Sequence, residues 1–435
     1  MNRTILLFMV VVVIGAGSRA RAQATAPVQL TLQDAEALAL KNHPQVLGAQ
    51  ATVLEFNELV VEARSAYFPT VDYDLTGSGG NPQGRIGAGY LAASRLFDRL
   101  GTGILLSQLI TDSGRTPNLV ASSRLQAQAS QQTYQATRYD VLLAVNQAYF
   151  AALRAQALVK VAEQTVAARQ IMSDQVTELA KNKLRSDVDV AFADVNLSEA
   201  KLLLLRSQDQ VRAAFAELTR ALGQQQEVDY KLTDEPLPPS PPSDVESLVA
   251  QAYTNRPDLL SLQLQRDSAV KFARAERDLS FPTVSLTGTA GAIPQINQIL
   301  SAKIPNNYEA AALNIEVPVF NGHLFTARRE AARYRARAED QKVRDLQEKI
   351  ARDVRVAWSS SKTAFQNIDV TAELLREATL ALDLAQGRYN LGLSSIVELY
   401  QAELNITQAE IANLNAKYDY QSINAVLQYT MGLLR

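Results

Sequence analysis

The tetrapeptide Phe68-Pro69-Thr70-Val71 occurs again as Phe281-Pro282-Thr283-Val284, 213 positions further along the chain. Just upstream, the tripeptides at 42–44 and 255–257 share Asn and Pro at the same offset. Downstream, an offset of 209 joins Leu184 to Leu393, Asn196 to Asn405 and Gly223 to Gly432. Self-similarity over such distances is the signature of a repeat, so the sequence predicts two tandem copies of about 190 residues.

The repeat divides the chain into four predicted segments: a signal peptide at 1–24, repeat 1 at 25–223, a connector at 224–243 and repeat 2 at 244–435. The signal peptide is predicted from Arg3, the apolar run at 5–14 and the small-residue cleavage sequence at 20–24. Prolines concentrated between 236 and 242 predict a stiff, extended connector.

The composition excludes several classes of function. The 43 basic and 45 acidic side chains give a formal net charge of -2, which leaves no overall positive field for a nucleic acid partner. The absence of cysteine excludes thiolate metal sites and cysteine nucleophiles. The two histidines, His43 and His323, have no acidic or histidine neighbour at metal-ligand spacing. We therefore predict no metal, no cofactor and no enzymatic activity.

Each copy is predicted to contain a helix, a β-hairpin and a long helical hairpin. The β-hairpins are placed at about 67–111 and 281–320, and the helical hairpins at 113–223 and 322–432. Small and apolar residues recur at alternating steps of four and three from Ile350 to Tyr389, which predicts a coiled-coil seam. A helix from Leu324 to Tyr389 would extend roughly 100 Å at 1.5 Å per residue.

Four predicted strands alternate apolar and polar residues with a period of two. The first has Val71, Tyr73 and Leu75 on its apolar side, and the last has Leu313, Ile315, Val317 and Val319. The other two are predicted at 103–111 and 283–287, with hairpin tips at about 78–99 and 291–307. Four such strands cannot close a barrel. Eight strands enclose only packed side chains, so three chains supplying twelve strands form the smallest multiple that leaves a channel.

These features together resemble the TolC-like outer-membrane efflux proteins. The resemblance rests on the Phe-Pro-Thr-Val strand starts, on Asn321-Gly322 at the start of a long helix and on the segment YNLGLSSIVEL at 389–399. It implies an α+β membrane protein, in which the helices of a homotrimer form a coiled-coil barrel across the periplasm. Four β-strands per chain would complete a trimeric 12-stranded transmembrane β-barrel in the lipid of the outer membrane. Since no cysteine is present to carry a lipid, the chain resembles the unlipidated branch.

The function that the resemblance implies is a passive exit duct of a tripartite efflux or type I secretion system. Such a duct docks a periplasmic adaptor (membrane fusion protein) and an inner-membrane pump. The turns at 181–186 and 390–395 occupy equivalent positions in the two copies and would form the periplasmic tips. The implied adaptor contacts are Lys183, Leu184, Arg185, Gly392, Leu393 and Ser395. The alternative is that these residues only make a turn, which needs the same chemistry without a partner.

The resemblance also places an aperture at the tips. The family closes its tunnel with two acidic residues three positions apart on one helix face, where this chain has Glu398 and Gln401. A family tyrosine that bonds to an acid of the other copy corresponds to Tyr389 and Asp189. A basic residue that helps to hold the closed state is replaced here by Ser394.

Helix capping is the alternative role for Glu398. Ser395-x-x-Glu398 fits a capping box, in which the serine and the acid satisfy backbone N–H groups. The same pattern occurs at Ser243-x-x-Glu246 and, with aspartate, at Ser186-x-x-Asp189 and Thr31-x-x-Asp34.

A periplasmic coiled-coil scaffold or adaptor without a membrane-inserted part is the alternative function. The predicted β-hairpins distinguish the two, because a scaffold does not need apolar side chains at alternating outward positions.

Overall fold

The computed structural model describes residues 28–78, 99–226, 228, 230–293 and 307–434. The predicted signal peptide and most of the two hairpin tips lie outside these residues. The elements of repeat 1 are α1 (Leu32–Asn42), α2 (Pro44–Ser65), β2 (Thr70–Ser78), β3 (Arg99–Thr111), α3 (Arg115–Lys181) and α4 (Asp187–Ala221). Those of repeat 2 are α5 (Val245–Asn255), α6 (Pro257–Asp278), β5 (Thr283–Ala292), β6 (Asn307–Glu316), α7 (Leu324–Asn390) and α8 (Ile396–Thr430). Two short strands, β1 (Val28–Leu30) and β4 (Tyr230–Leu232), complete the fold.

The tandem repeat is present in the fold, since equivalent helices have equal lengths. α1 and α5 each have 11 residues, and α2 and α6 each have 22. The long helices α3 and α7 each have 67 residues, and α4 and α8 each have 35. The long helices therefore extend about 100 Å. Among the described helices, none combines the length and hydrophobicity needed to cross a membrane.

The predicted seam of α7 is confirmed. Ile350, Val354 and Ser361 are fully or almost fully buried. Ala364, Ala378 and Ala385 are buried as well, where a small side chain lets the facing helix approach closely. This seam packs against α8, while α3 packs in the same way against α4 and also contacts α2, α6 and α8.

The predicted capping boxes are only partly correct. Ser186 and Asp189 form the box at the start of α4, and Thr31 caps α1 by accepting a hydrogen bond from the backbone N–H of Asp34. The prediction at Ser243 is wrong, because Asp244 occupies the N-cap of α5 and its carboxylate accepts from the N–H of Glu246 at 3.1 Å. Ser395 stands at the N-cap of α8 without a side-chain capping bond.

In each copy, a close contact between two backbone segments explains the glycine found at equivalent positions, Gly223 and Gly432. Gly223 has φ +70°, and a Cβ there would lie 2.7 Å from the Cα of His43. Gly432 has φ +71°, and a Cβ there would lie 2.9 Å from the carbonyl carbon of Asn255. In each copy the end of the helical hairpin therefore packs directly on the junction between the two short helices.

His43 occupies that junction in repeat 1 as the N-cap of α2, and its Nδ1 accepts a hydrogen bond from Gln45 N at 3.3 Å. Burial, and to a lesser extent the charge of Arg220, lower the pKa of His43 from its ordinary value of 6.5. The unfolded chain therefore takes up a proton at a higher pH than the folded chain does, and this contribution to stability is lost as the pH falls below about 6.5.

We expect His43→Asn to remove this pH dependence while keeping a capping acceptor. The measurement is the difference in thermal unfolding midpoint between wild type and variant at about pH 7.5 and about pH 5. Wild type should lose more stability than the variant at the lower pH. An equal loss in the two proteins would contradict the assignment.

The connector is held against the helices by hydrogen bonds. β4 lies within the predicted connector and pairs in parallel with β1. The hydroxyl of Tyr149 donates to the carbonyl of Thr233 at 2.7 Å, and the Nε1 of Trp358 donates to the carbonyl of Pro242 at 2.7 Å. Tyr149 and Trp358, which correspond to each other at the offset of 209, therefore both hold the connector against the long helices.

The four predicted strands form one antiparallel sheet in the order β2-β3-β5-β6. The register places Val71 opposite Leu106, Tyr73 opposite Ile104 and Leu286 opposite Leu313. These residues share one apolar face, while Asp72, Asp74 and Ser107 lie on the opposite face. The predicted end of the last strand is wrong, since β6 stops at Glu316 and leaves Val317 and Val319 outside it.

On the polar face of the sheet, the ring of Tyr308 covers two glycines of the neighbouring strands. Gly103 and Gly291 lie opposite each other, and a Cβ at either position would clash with the Tyr308 side chain. The sheet has two free edges in the described chain, since β2 and β6 each pair on one side only.

Candidate functional site

The two turns between the long helices have the same backbone geometry. Lys183 has φ +63° and Gly392 has φ +73°. The N–H of Leu184 donates to the carbonyl of Leu179 at 2.9 Å, and the N–H of Leu393 donates to that of Arg388 at 2.8 Å. This is the Schellman arrangement in both copies, and repeat 1 makes it with lysine where repeat 2 has glycine.

The turns expose large apolar side chains. Leu184 is 69% exposed, Leu393 is 66% exposed and Leu391 is 76% exposed. Lys183 and Ser395 are also exposed, while Arg185 is half-buried. The predicted tip residues therefore lie together on accessible turns, with the exception of Arg185, whose side chain is directed to the other copy.

Four helices meet just behind these turns in one apolar cluster. Its members come from α3, α4, α7 and α8 and are Met172, Val176, Ala193, Ala385, Tyr389, Ile396, Leu399 and Ala402. Most of them have small or medium-sized side chains, so the helix ends pack closely. The tip of repeat 1 and the tip of repeat 2 are thus neighbours within one chain.

The bond between Tyr389 and Asp189 that the resemblance implies is absent. The carboxylate of Asp189 accepts from the backbone N–H of Ser186 at 3.1 Å within the capping box. The Tyr389 hydroxyl is buried and has no hydrogen-bond partner among the described residues. Burial raises the pKa of Tyr389.

Arg185 contacts Tyr389 instead. Its guanidinium lies 4.1 Å from the centre of the Tyr389 ring, which is 2% exposed. The same guanidinium donates through Nη2 to the backbone carbonyl of Tyr389 at 2.8 Å. Arg185 therefore joins the first tip to the last turn of α7.

Glu398 is held by an ion pair. Its Oε1 lies 3.0 Å from Nε of Arg388 on α7, and both side chains are about half exposed. Since Ser395 makes no side-chain cap, the capping alternative for Glu398 is not supported. Gln401 lies one turn further along α8 and donates to Asn405 at 3.0 Å. The Oγ of Ser394 is buried and has no partner among the described residues.

A buried polar cluster, which the sequence did not predict, lies farther from the tips. Arg169 of α3 forms an ion pair with Glu403 of α8, and both side chains are less than 10% exposed. Asn196 of α4 also donates to the Glu403 carboxylate. Burial raises the pKa of Glu403 and lowers that of Arg169, so desolvation outweighs their mutual attraction. The sequence offered one signal for this cluster, namely a charged residue on a helix face that otherwise carries small and apolar residues.

No group of three or more acidic or histidine side chains in the described chain is arranged to hold a metal ion. His43 serves as a helix cap, and His323 has φ +68° at the start of α7. The described part of the site consists of apolar turns, an aromatic ring and ion pairs.

A solved structure has a similar fold, and two relatives are similar in sequence. The alignment with the crystal structure of CusC covers 95% of this chain and 95% of the CusC chain, with a TM-score of 0.80 and 19% sequence identity. The outer membrane efflux protein BepC of Brucella suis is 24% identical over 92% of this chain and 86% of its own length. The outer membrane protein TolC of Vibrio cholerae is 24% identical over 90% of this chain and 87% of its own length.

The sequence model that describes outer membrane efflux proteins matches residues 37–224 and again residues 248–433. The two matched segments correspond to the two copies of the repeat; they begin within α1 and α5 and include α2, α3, α4, α6, α7 and α8 in full. The chain therefore belongs to the outer membrane efflux protein family.

Proposed function

We propose that the protein is the passive outer-membrane exit duct of a tripartite efflux or type I secretion system, built as a homotrimer with twelve strands in its barrel. The observation that carries the proposal is the four-stranded sheet, which has one apolar face and two free edges. An unpaired edge in lipid costs several kcal/mol for each unsatisfied backbone group, so the edges need partners from other chains. The sheet order places β2 and β6 at the edges with opposite strand directions, so β6 of one chain can pair antiparallel with β2 of the next.

The repeat symmetry supports the same assembly for the helices. Within the chain, α3 of repeat 1 packs against α6 and α8 of repeat 2. The equivalent partners of α7 are α2 and α4, and the described chain has no comparable contact between α7 and either of them. A neighbouring chain would supply both contacts, in a head-to-tail interface that closes into a ring.

The surfaces that would meet across this boundary carry apolar residues at coiled-coil spacing. Those on α4 are Val188, Phe192, Val195, Leu202 and Leu205, each 39 to 62% exposed. Those on α7 include Val370, Leu374 and Leu384, each 49 to 66% exposed. Apolar stripes of this kind, exposed on the surface of two helices, mark an interaction site.

The tips are proposed to dock a periplasmic adaptor and, through it, an inner-membrane pump. Leu184 and Leu393 provide exposed apolar contacts at equivalent positions, six per trimer in the proposed assembly. Relatives support this class of function: BepC is an outer membrane efflux protein, and CusC forms a transmembrane channel. The duct performs no chemistry, and its cargo is whatever the pump delivers.

The proposed function is tested by measuring whether three chains assemble and whether the assembly conducts ions. The mature protein purified from outer membranes should have the mass of three chains and should conduct ions in a planar lipid bilayer. Fractionation tests the alternative of a periplasmic scaffold. Recovery of the protein with the soluble periplasmic fraction, as a monomer without channel activity, would contradict the duct.

A second experiment tests the proposed role of Glu398 as the aperture acid. Three copies of Glu398 around the axis favour cations, and Arg388 at 3.0 Å partly offsets each charge. We expect Glu398→Ala to lower cation selectivity and Arg388→Ala to raise it, both measured as reversal potentials at low ionic strength, where screening is weak. Equal selectivity in wild type and both variants would remove Glu398 from the aperture.

A further inference from the structure

The two tips of one chain are joined by a contact whose chemistry differs from the one that the family resemblance implies. The guanidinium of Arg185 covers the face of the Tyr389 ring at 4.1 Å and donates to its backbone carbonyl at 2.8 Å. An aromatic face attracts a cation, and burial of the ring strengthens the attraction. The hydroxyl of Tyr389 takes no part, because it has no hydrogen-bond partner in the described chain.

The repeat shows that this contact occurs once per chain. At the offset of 209, Arg185 corresponds to Ser394 and Tyr389 corresponds to Ala180. The first pair joins repeat 1 to repeat 2 within a subunit. The second pair would join repeat 2 to repeat 1 of the next subunit, and serine with alanine provides neither a cation nor a ring. The basic residue that is lacking at Ser394 is present at the equivalent position of the other copy.

The contact is connected to the aperture acid through adjacent residues. Arg185 fixes the last turn of α7 through the ring and carbonyl of Tyr389. Arg388, the residue before Tyr389, pairs with Glu398 at the start of α8. Movement of the α7 end away from the first tip therefore has to break the Arg185 contact and carries Glu398 with it.

We propose that Arg185 is the positioning residue that holds the aperture of this protein closed, through the face of the Tyr389 ring and within a single subunit. This rests on the proposed function as a duct. It assigns to Arg185 a role different from the adaptor contact expected from its place in the tip. In this proposal Tyr389 contributes to the contact through its ring and its backbone carbonyl.

The experiment is single-channel conductance of the purified trimer in planar bilayers. We expect Arg185→Ala and Tyr389→Leu each to raise the conductance several-fold, and the double variant to raise it no further, because both changes break one contact. Arg185→Lys should give an intermediate conductance, since lysine keeps the charge but lacks the planar group that stacks on a ring. Tyr389→Phe should conduct as wild type does.

Arg212→Ala is the matched control, because it removes a guanidinium that is 74% exposed and that pairs with Asp209 on the same helix, α4, away from both tips. It should leave the conductance unchanged. The proposal is overturned if Arg185→Ala conducts as Arg212→Ala does, or if Tyr389→Phe opens the channel as far as Tyr389→Leu. If Arg185→Ala does not assemble, the comparison of Arg185→Lys with Arg212→Ala decides in the same way. A wild type that fails to form a conducting trimer would instead contradict the proposed function.

Discussion

Replacement of Arg169 by methionine is expected to lower the free energy of unfolding by about 3–5 kcal/mol per subunit, because it leaves the carboxylate of Glu403 buried without its cation. Both side chains are less than 10% exposed, so solvent cannot compensate. The cluster joins α3, α4 and α8, since Asn196 donates to the same carboxylate. The measurement is chemical unfolding of the purified protein, followed by circular dichroism of its helices.

The double variant Arg169→Met, Glu403→Gln separates the cost of an unpaired charge from the value of the pair. Glutamine keeps an oxygen that accepts from Asn196 and carries no charge. Because burial outweighs attraction for both partners, the double variant should recover most of the lost stability. If it is as unstable as the single variant, the ion pair itself stabilises the bundle and the desolvation argument is wrong.

Leu106→Arg is expected to destabilise the folded barrel by about 2–4 kcal/mol, because the proposed assembly places this side chain on the lipid face near the middle of the sheet. Leu106 lies opposite Val71 on one side and opposite Gly288 on the other, on the apolar face. The measurement is the stability of the protein folded into lipid vesicles, determined by denaturant titration.

Ser107→Arg is the matched control, since the neighbouring residue of the same strand points to the opposite face. Its effect should be small, because that face also carries Asp72 and Asp74 and is proposed to line water. Equal destabilisation by the two arginines would mean that neither face contacts lipid.

The architecture could be predicted from the sequence because it depends on periodic features. The offsets of 213 and 209 predicted two copies, and the equivalent helices have equal lengths. Regular spacing from Ile350 to Tyr389 predicted the seam of α7, and alternation predicted the four strands. Strand ends were less accurate, since the apolar alternation continues through Pro318 to Val319 beyond the last residue of β6.

The contacts of the site could not be predicted, because each depends on a choice among several partners. Glu398 has a serine at capping distance in sequence, yet it pairs with Arg388 across the turn. Asp189 satisfies the backbone of its own helix, which leaves Tyr389 to Arg185. Arg169 and Glu403 are 234 positions apart, and only the packing of α3 against α8 brings them together.

The equal lengths of α3 and α7, and of α4 and α8, couple the evolution of the two copies. Insertion of one heptad in a single copy would displace its turn by about 10 Å relative to the other, at 1.5 Å per residue. The rim of the trimer would then become uneven, and Arg185 would face a different turn of α7. A change in the length of the helical hairpins therefore requires matched insertions in both halves of the gene. The two copies can lengthen or shorten only together.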